Sequence, residues 1–90
     1  MATVRIPGSL RQQVGGASAL EVDGSTVREV LERLSAEHPG IKGRLLDEAG
    51  SLRRFVNVFV DDEDIRHRDG LRTPVGPGQQ VSILPAVAGG

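Results

Sequence analysis

An α+β fold, with one main helix packed on one face of a mixed β-sheet, is what this 90-residue sequence predicts. Three observations carry that prediction. Two short segments of alternating polar and apolar residues come first, Thr3–Ile6 and Ala19–Val22. A single stretch with helical periodicity comes next. Beyond it lie a β-branched and aromatic run and a last short apolar run, both of strand character. One helix with one apolar face has to bury that face against the sheet, and helices segregated to one face of a sheet define the class.

The first two segments read as a hairpin. Pro7-Gly8-Ser9 interrupts the first strand, Leu10 to Val14 is ambiguous, and Gly15-Gly16 is a turn. The helix is the best-defined element. Thr26 stands three residues before Glu29, the spacing of a capping box, in which the hydroxyl accepts from the Glu29 N–H and the carboxylate reaches back. Val27, Val30, Leu31 and Leu34 fall at i, i+3, i+4 and i+7 and form one apolar stripe. Pro39-Gly40 is expected to stop the helix near His38, giving a helix over about 26–37. Residues 40–53 read as a loop with one helical turn at 42–47.

Arg54-Phe55-Val56-Asn57-Val58-Phe59-Val60 is the strongest strand signal. Alternation puts Val56, Val58 and Val60 on one face, suited to packing under the helix, and Phe55, Asn57 and Phe59 on the other. Asp61 to Asp64 is an acidic turn, Ile65-Arg66 a candidate short edge strand, and Gln80 to Leu84 the last strand. The order β-β-α-β-(short β)-β fits the β-grasp, or ubiquitin-like, fold over residues 1–84. In that fold the first and last strands lie parallel in the middle of the sheet. Residues 85–90, Pro-Ala-Val-Ala-Gly-Gly, then leave from the centre of the domain as a flexible tail.

Composition narrows the function. Eleven basic and 12 acidic residues give a net charge of −1, with no basic excess to indicate nucleic acid or an anionic membrane. There is no cysteine, so disulfides, Cys-based zinc sites and a thiol nucleophile are excluded, and a cytoplasmic setting is expected. No run approaches the ~20 apolar residues of a membrane span. His38 and His67 are too few and too isolated for a metal site. The Asp61–Asp64 cluster lacks the sixth-position Gly and twelfth-position Glu of a calcium loop. No Gly-x-Ser-x-Gly and no Gly-Lys-Ser/Thr is present, so neither a hydrolase elbow nor a phosphate loop is encoded. An independent enzyme, a bound cofactor and a catalytic residue are all unexpected.

The tail offers the chemistry instead. Gly90 would carry its carboxylate on the least hindered residue, and Gly89 allows the backbone to pass a narrow channel in conformations closed to other residues. Six extended residues reach roughly 20 Å. An α-carboxylate is ionised at pH 7 and a poor electrophile, with a pKa of about 3.5, so any reaction on it needs a leaving group installed first.

The segment Arg54–Val60 with Asp62-Glu63-Asp64-Ile65-Arg66, and the ending Val87-Ala88-Gly89-Gly90, resemble the ThiS/MoaD group of ubiquitin-like sulfur carriers. The Phe-Val-Asn strand, the Asp-Glu-Asp turn and the Pro-Ala-Val-Ala-Gly-Gly tail are most similar to its CysO-type members in cysteine synthesis. The resemblance implies a cycle. An ATP-dependent, E1-like activating enzyme adenylates the carboxylate of Gly90, and sulfide displaces AMP to leave a thiocarboxylate. A partner biosynthetic enzyme then accepts the sulfur. Val87, Ala88 and Gly89 would thread into these partners, and Phe55, Phe59 and Leu84 would form the face that docks. The same tail fits two alternatives, the small subunit of molybdopterin synthase and a ubiquitin-like modifier joined to proteins through Gly90.

Overall fold

The computed structural model describes residues 1–85. Five strands form one mixed sheet: β1 (Ala2–Arg5), β2 (Ala19–Val22), β3 (Val56–Val60), β4 (Glu63–Asp64) and β5 (Gln80–Pro85). Their order across the sheet is β2-β1-β5-β3-β4. β1 runs antiparallel to β2 and parallel to β5, and β5 runs antiparallel to β3. The first and last strands are therefore central and parallel, as the β-grasp prediction requires.

Helix α1 (Val27–Glu37) lies where the capping box placed it. Thr26 Oγ1 accepts from the Glu29 N–H at 3.2 Å, and the Glu29 carboxylate accepts from the Ser25 N–H at 2.8 Å, one residue before the cap. A third N-terminal group, the Val27 N–H, donates to the Thr73 carbonyl at 3.0 Å. These bonds satisfy donors that a helix start otherwise leaves unpaired. Val27, Val30, Leu31 and Leu34 are fully buried, as are Val58 and Val81 of the sheet. Together with Val4, Ile6, Val22, Val56, Val60 and Ile83 they make one aliphatic core on the helix side of the sheet.

A second helix, α2 (Pro39–Leu45), comes directly after α1. Pro39 does end α1, yet it also occupies the first turn of α2, where its missing N–H and fixed φ are favourable. The expected turn at 42–47 is thus a helix that starts three residues earlier. It buries Ile41 and Leu45. The ambiguous stretch Gly8–Val14 is a 3-10 turn that buries Leu10 and Val14.

Three further expectations shift. The short edge strand is Glu63–Asp64 rather than Ile65-Arg66, because Asp61-Asp62 makes a two-residue turn that pairs Val60 with Glu63. Ile65 enters the core instead. The last strand runs through Pro85, which pairs in register with Val56, so the sheet ends one residue later than 84. Proline is acceptable at that final position because no ladder donor is needed there. Finally, β3 begins at Val56, and Arg54-Phe55 forms the turn before it.

Gly24 marks a close approach between the β2–α1 connection and the helix. A Cβ built on it would meet Val30 Cγ2 at 2.8 Å and Val30 N at 2.9 Å, so only glycine fits there without a shift.

Candidate functional site

The candidate site is the C-terminal end of β5, the exit in the sense that the Gly89-Gly90 ending follows it in sequence. Its geometry is set by register. On the β3 side, Ile83, Leu84 and Pro85 pair with Val58, Asn57 and Val56. On the β1 side, pairing stops where Arg5 meets Ser82, because β1 ends there and Pro7 cannot extend it. The last three residues of the strand, Ile83, Leu84 and Pro85, are consequently held from one side only. Arg66 Nη2 donates to the Val56 carbonyl at 3.3 Å and braces the strand partner at this end.

Alternation continues to the last residues of β5. Val81 and Ile83 are buried on the helix side, whereas Ser82 and Leu84 face away, and Leu84 is 49% exposed. On β3, Asn57 and Phe59 share this outer face, with Phe59 in register with Ser82 and Asp64. Phe59 is half-buried. Phe55 is 64% exposed, but it stands in the turn before β3, where strand alternation no longer assigns its side. It lines a shallow groove with Leu10, Arg44, Arg53 and Pro85. The three residues expected to form a docking face therefore split. Phe59 and Leu84 lie on the open sheet face, while Phe55 lies beside Pro85 at the exit. Val87, Ala88, Gly89 and Gly90 lie outside the described residues.

Arginines surround this exit, a feature that no motif in the sequence announces. Arg44 and Arg53 border the groove with Phe55 and Pro85. Arg5 and Arg11 border a second groove with Leu84 on the other side of β5. Arg53 Nε donates to the Gly43 carbonyl, and Arg11 Nε donates to the Ile6 carbonyl at 3.1 Å. Each bond fixes the stem of a side chain and leaves its outer nitrogens available. Among the described residues the one ion pair is Arg68–Glu63 at 3.0 Å, at the opposite edge of the sheet, so no carboxylate there neutralises these four arginines.

The opposite end of β5 has the reverse character. Asp61, with φ of 54°, donates its N–H to the Gln80 carbonyl at 2.7 Å. Its carboxylate accepts from the Gln80 N–H and the Gln79 side-chain amide, each at 3.1 Å. Asp62, Glu63 and Asp64 come next in the same turn.

Among the described residues, no group of three or more His, Cys, Asp or Glu side chains could hold a metal ion. No helix among them is long and apolar enough to cross a membrane.

Comparison with known proteins agrees with this architecture. The sulfur carrier protein CysO of Mycobacterium tuberculosis is 47% identical over 90 residues, an alignment spanning 98% of this chain and 97% of the relative. Small archaeal modifier protein 3 of Haloferax volcanii is 41% identical over 68 residues, covering 76% of this chain and 73% of the relative. Among solved structures, a chain in the crystal structure of the Amycolatopsis orientalis BexX/CysO complex superimposes with a TM-score of 0.92 at 47% identity, with 100% of each chain covered. The ThiS family model matches residues 4–90, and with these relatives it shows that the chain belongs to the ThiS family.

Proposed function

We propose that this protein is a sulfur carrier that works through the carboxylate of Gly90. The observation that carries the reading is the position of the Gly89-Gly90 ending. It comes shortly after a central strand whose last three residues are paired on one side only, in a chain 47% identical to CysO over almost its whole length. A rigid domain with its functional end beyond the exit suits delivery into another protein's active site.

The chemistry balances in two steps. The Gly90 carboxylate attacks the α-phosphate of ATP in an E1-like activating enzyme, forming an acyl-adenylate and releasing pyrophosphate. Sulfide then adds to the acyl carbon, the C–O bond to AMP breaks, and a thiocarboxylate remains. That sulfur is the nucleophile for a biosynthetic enzyme making cysteine or another sulfur-containing metabolite. The protein is a co-substrate in this scheme, and ATP belongs to the activating enzyme. Val87, Ala88 and Gly89 thread the partner's channel, while Phe55, Phe59 and Leu84 contribute apolar contact, since exposed apolar patches mark binding sites. A CysO chain crystallised in complex with a second protein, BexX, supports engagement of partners by this fold. A cytoplasmic setting fits the ATP requirement.

A second reading has its own support. The similarity to a small archaeal modifier protein favours conjugation of Gly90 to lysine amines of other proteins. Both uses begin with the adenylate and differ in the nucleophile that attacks it.

Intact-mass spectrometry after incubation with the cognate activating enzyme, ATP and a sulfide source distinguishes them. The parent should gain the mass of one oxygen-to-sulfur exchange. Deleting Gly90 withdraws the carboxylate by about 3.5 Å. A misplacement of about 1 Å can already cost about 100-fold in rate, so the deletion should yield almost no product. A parent that never gains this mass, or a deletion that gains it equally well, rejects the carrier reading. Isopeptide-linked ladders without thiocarboxylate would select the modifier.

A further inference from the structure

We infer that the arginines around the exit of β5 form a docking collar for an acidic rim at the mouth of the activating enzyme's adenylation site. The inference rests on the carrier reading above and adds the chemistry by which that partner is recognised.

The net charge of −1 conceals a strong polarity. Arg5, Arg11, Arg44 and Arg53 border the two grooves that flank Leu84 and Pro85. Asp61, Asp62, Glu63 and Asp64 stand at the other end of the same strand, where Asp61 clamps Gln80. β5 has six residues, so the two ends are separated by about 17 Å at ~3.3 Å per residue. The screening length at physiological ionic strength is about 8 Å. A partner approaching the exit therefore meets local positive charge, with the acidic end about two screening lengths away. The whole-chain charge balance says little about what that partner senses.

Three features make the collar more than a solvated surface. No carboxylate among the described residues pairs with its arginines. Arg11 and Arg53 are held by Nε bonds to backbone carbonyls, so part of their ordering entropy is lost before binding. Each pair of arginines also borders a groove with one exposed apolar side chain, Phe55 beside Arg44 and Arg53, and Leu84 beside Arg5 and Arg11. An apolar centre with arginine is the composition of protein interfaces, and arginine and aromatic residues dominate their energetics. Complementary charge acts mainly on association and orientation. Here it would bring the domain in tail-first, with its acidic end turned away.

The test measures association of the full chain with its cognate activating enzyme by stopped flow. The double variant R5E/R44E reverses one arginine on each side of the exit, and neither side chain makes a hydrogen bond within the described residues. Asp62→Lys changes charge at the far end as a control. At about 0.15 M ionic strength, where the screening length is about 8 Å, the double variant should associate at least about tenfold more slowly than the parent, and Asp62→Lys within about twofold. At about 1 M, where the screening length falls to about 3 Å, the parent and the double variant should converge. R5Q/R44Q, which removes charge without reversing it, should fall between them, with thermal unfolding like that of the parent. Equal slowing by R5E/R44E and its far-end control, loss of rate that salt does not erase, or slowing confined to the sulfur-accepting enzyme would overturn the inference. A parent that is thiocarboxylated normally while R5E/R44E associates at the parental rate rejects the collar and leaves the carrier function standing. A parent that is never thiocarboxylated rejects both.

Discussion

The two ends of the six-residue strand β5 differ in almost every physical respect. At its start, Gln80 exchanges two hydrogen bonds with Asp61, one through each backbone group, and the parallel ladder to β1 flanks its other side. At its end, Leu84 and Pro85 are paired on one side, exposed, and bordered by arginines that have no carboxylate partner among the described residues. The start has its polar groups satisfied within the domain. The finish leaves charge and apolar surface available to something outside it. A strand whose whole task was to hold the sheet together would have no use for this asymmetry. It suits a strand that presents a functional tail to another protein.

Substitutions should separate along the same line, stability falling at one end and recognition at the other. The largest effect belongs to the core beneath the strand. Leu31 is fully buried, and Leu31→Ala should cost about 2–5 kcal/mol in chemical denaturation. In a domain this small that is a large share of the usual ~5–15 kcal/mol. An unmoved midpoint would show that α1 does not seal the sheet. Next comes the anchored end. Asp61→Ala removes two side-chain bonds and places alanine at a positive φ, so about 1–3 kcal/mol of stability should be lost with partner binding unchanged. If partner binding falls as far as stability does, the two ends are not functionally distinct. The smallest effect sharpens the exit. Phe55→Ala should weaken binding to the activating enzyme by more than about 1 kcal/mol while unfolding stays within about 0.5 kcal/mol of the parent. A stability loss without a binding loss would make Phe55 part of the fold rather than of the interface.

Local signals explain which parts of this are legible in the sequence. The Thr26/Glu29 cap and the stripe from Val27 to Leu34 specify α1 to within one position of its observed start. The alternation of Val56, Val58 and Val60 assigns their face correctly. Pro39 misleads because proline both stops one helix and starts another, and only the packing of Ile41 and Leu45 shows that it does both here. Phe55 reads as a strand residue because its neighbours have strand propensity, yet the chain has not entered the sheet there. The arginine collar is invisible for a different reason. Its members stand at positions 5, 11, 44 and 53, among unremarkable neighbours, and nothing short of the strand order brings them to one place.

That strand order also governs how the protein comes to exist. β5 joins two otherwise separate hairpins, β1–β2 and β3–β4. Thr3 pairs with Gln80, 77 positions later (80 − 3), so the central ladder closes a long loop, the kind of contact that makes folding slow. A nascent chain that has not yet delivered β5, or a fragment broken before it, would leave both hairpins with an open edge, and open edges invite aggregation. Folding competence is thereby tied to synthesis through residue 85. The sheet acts as its own inspection step, and the chains that pass it have been made to within a few residues of the glycines on which the proposed chemistry depends.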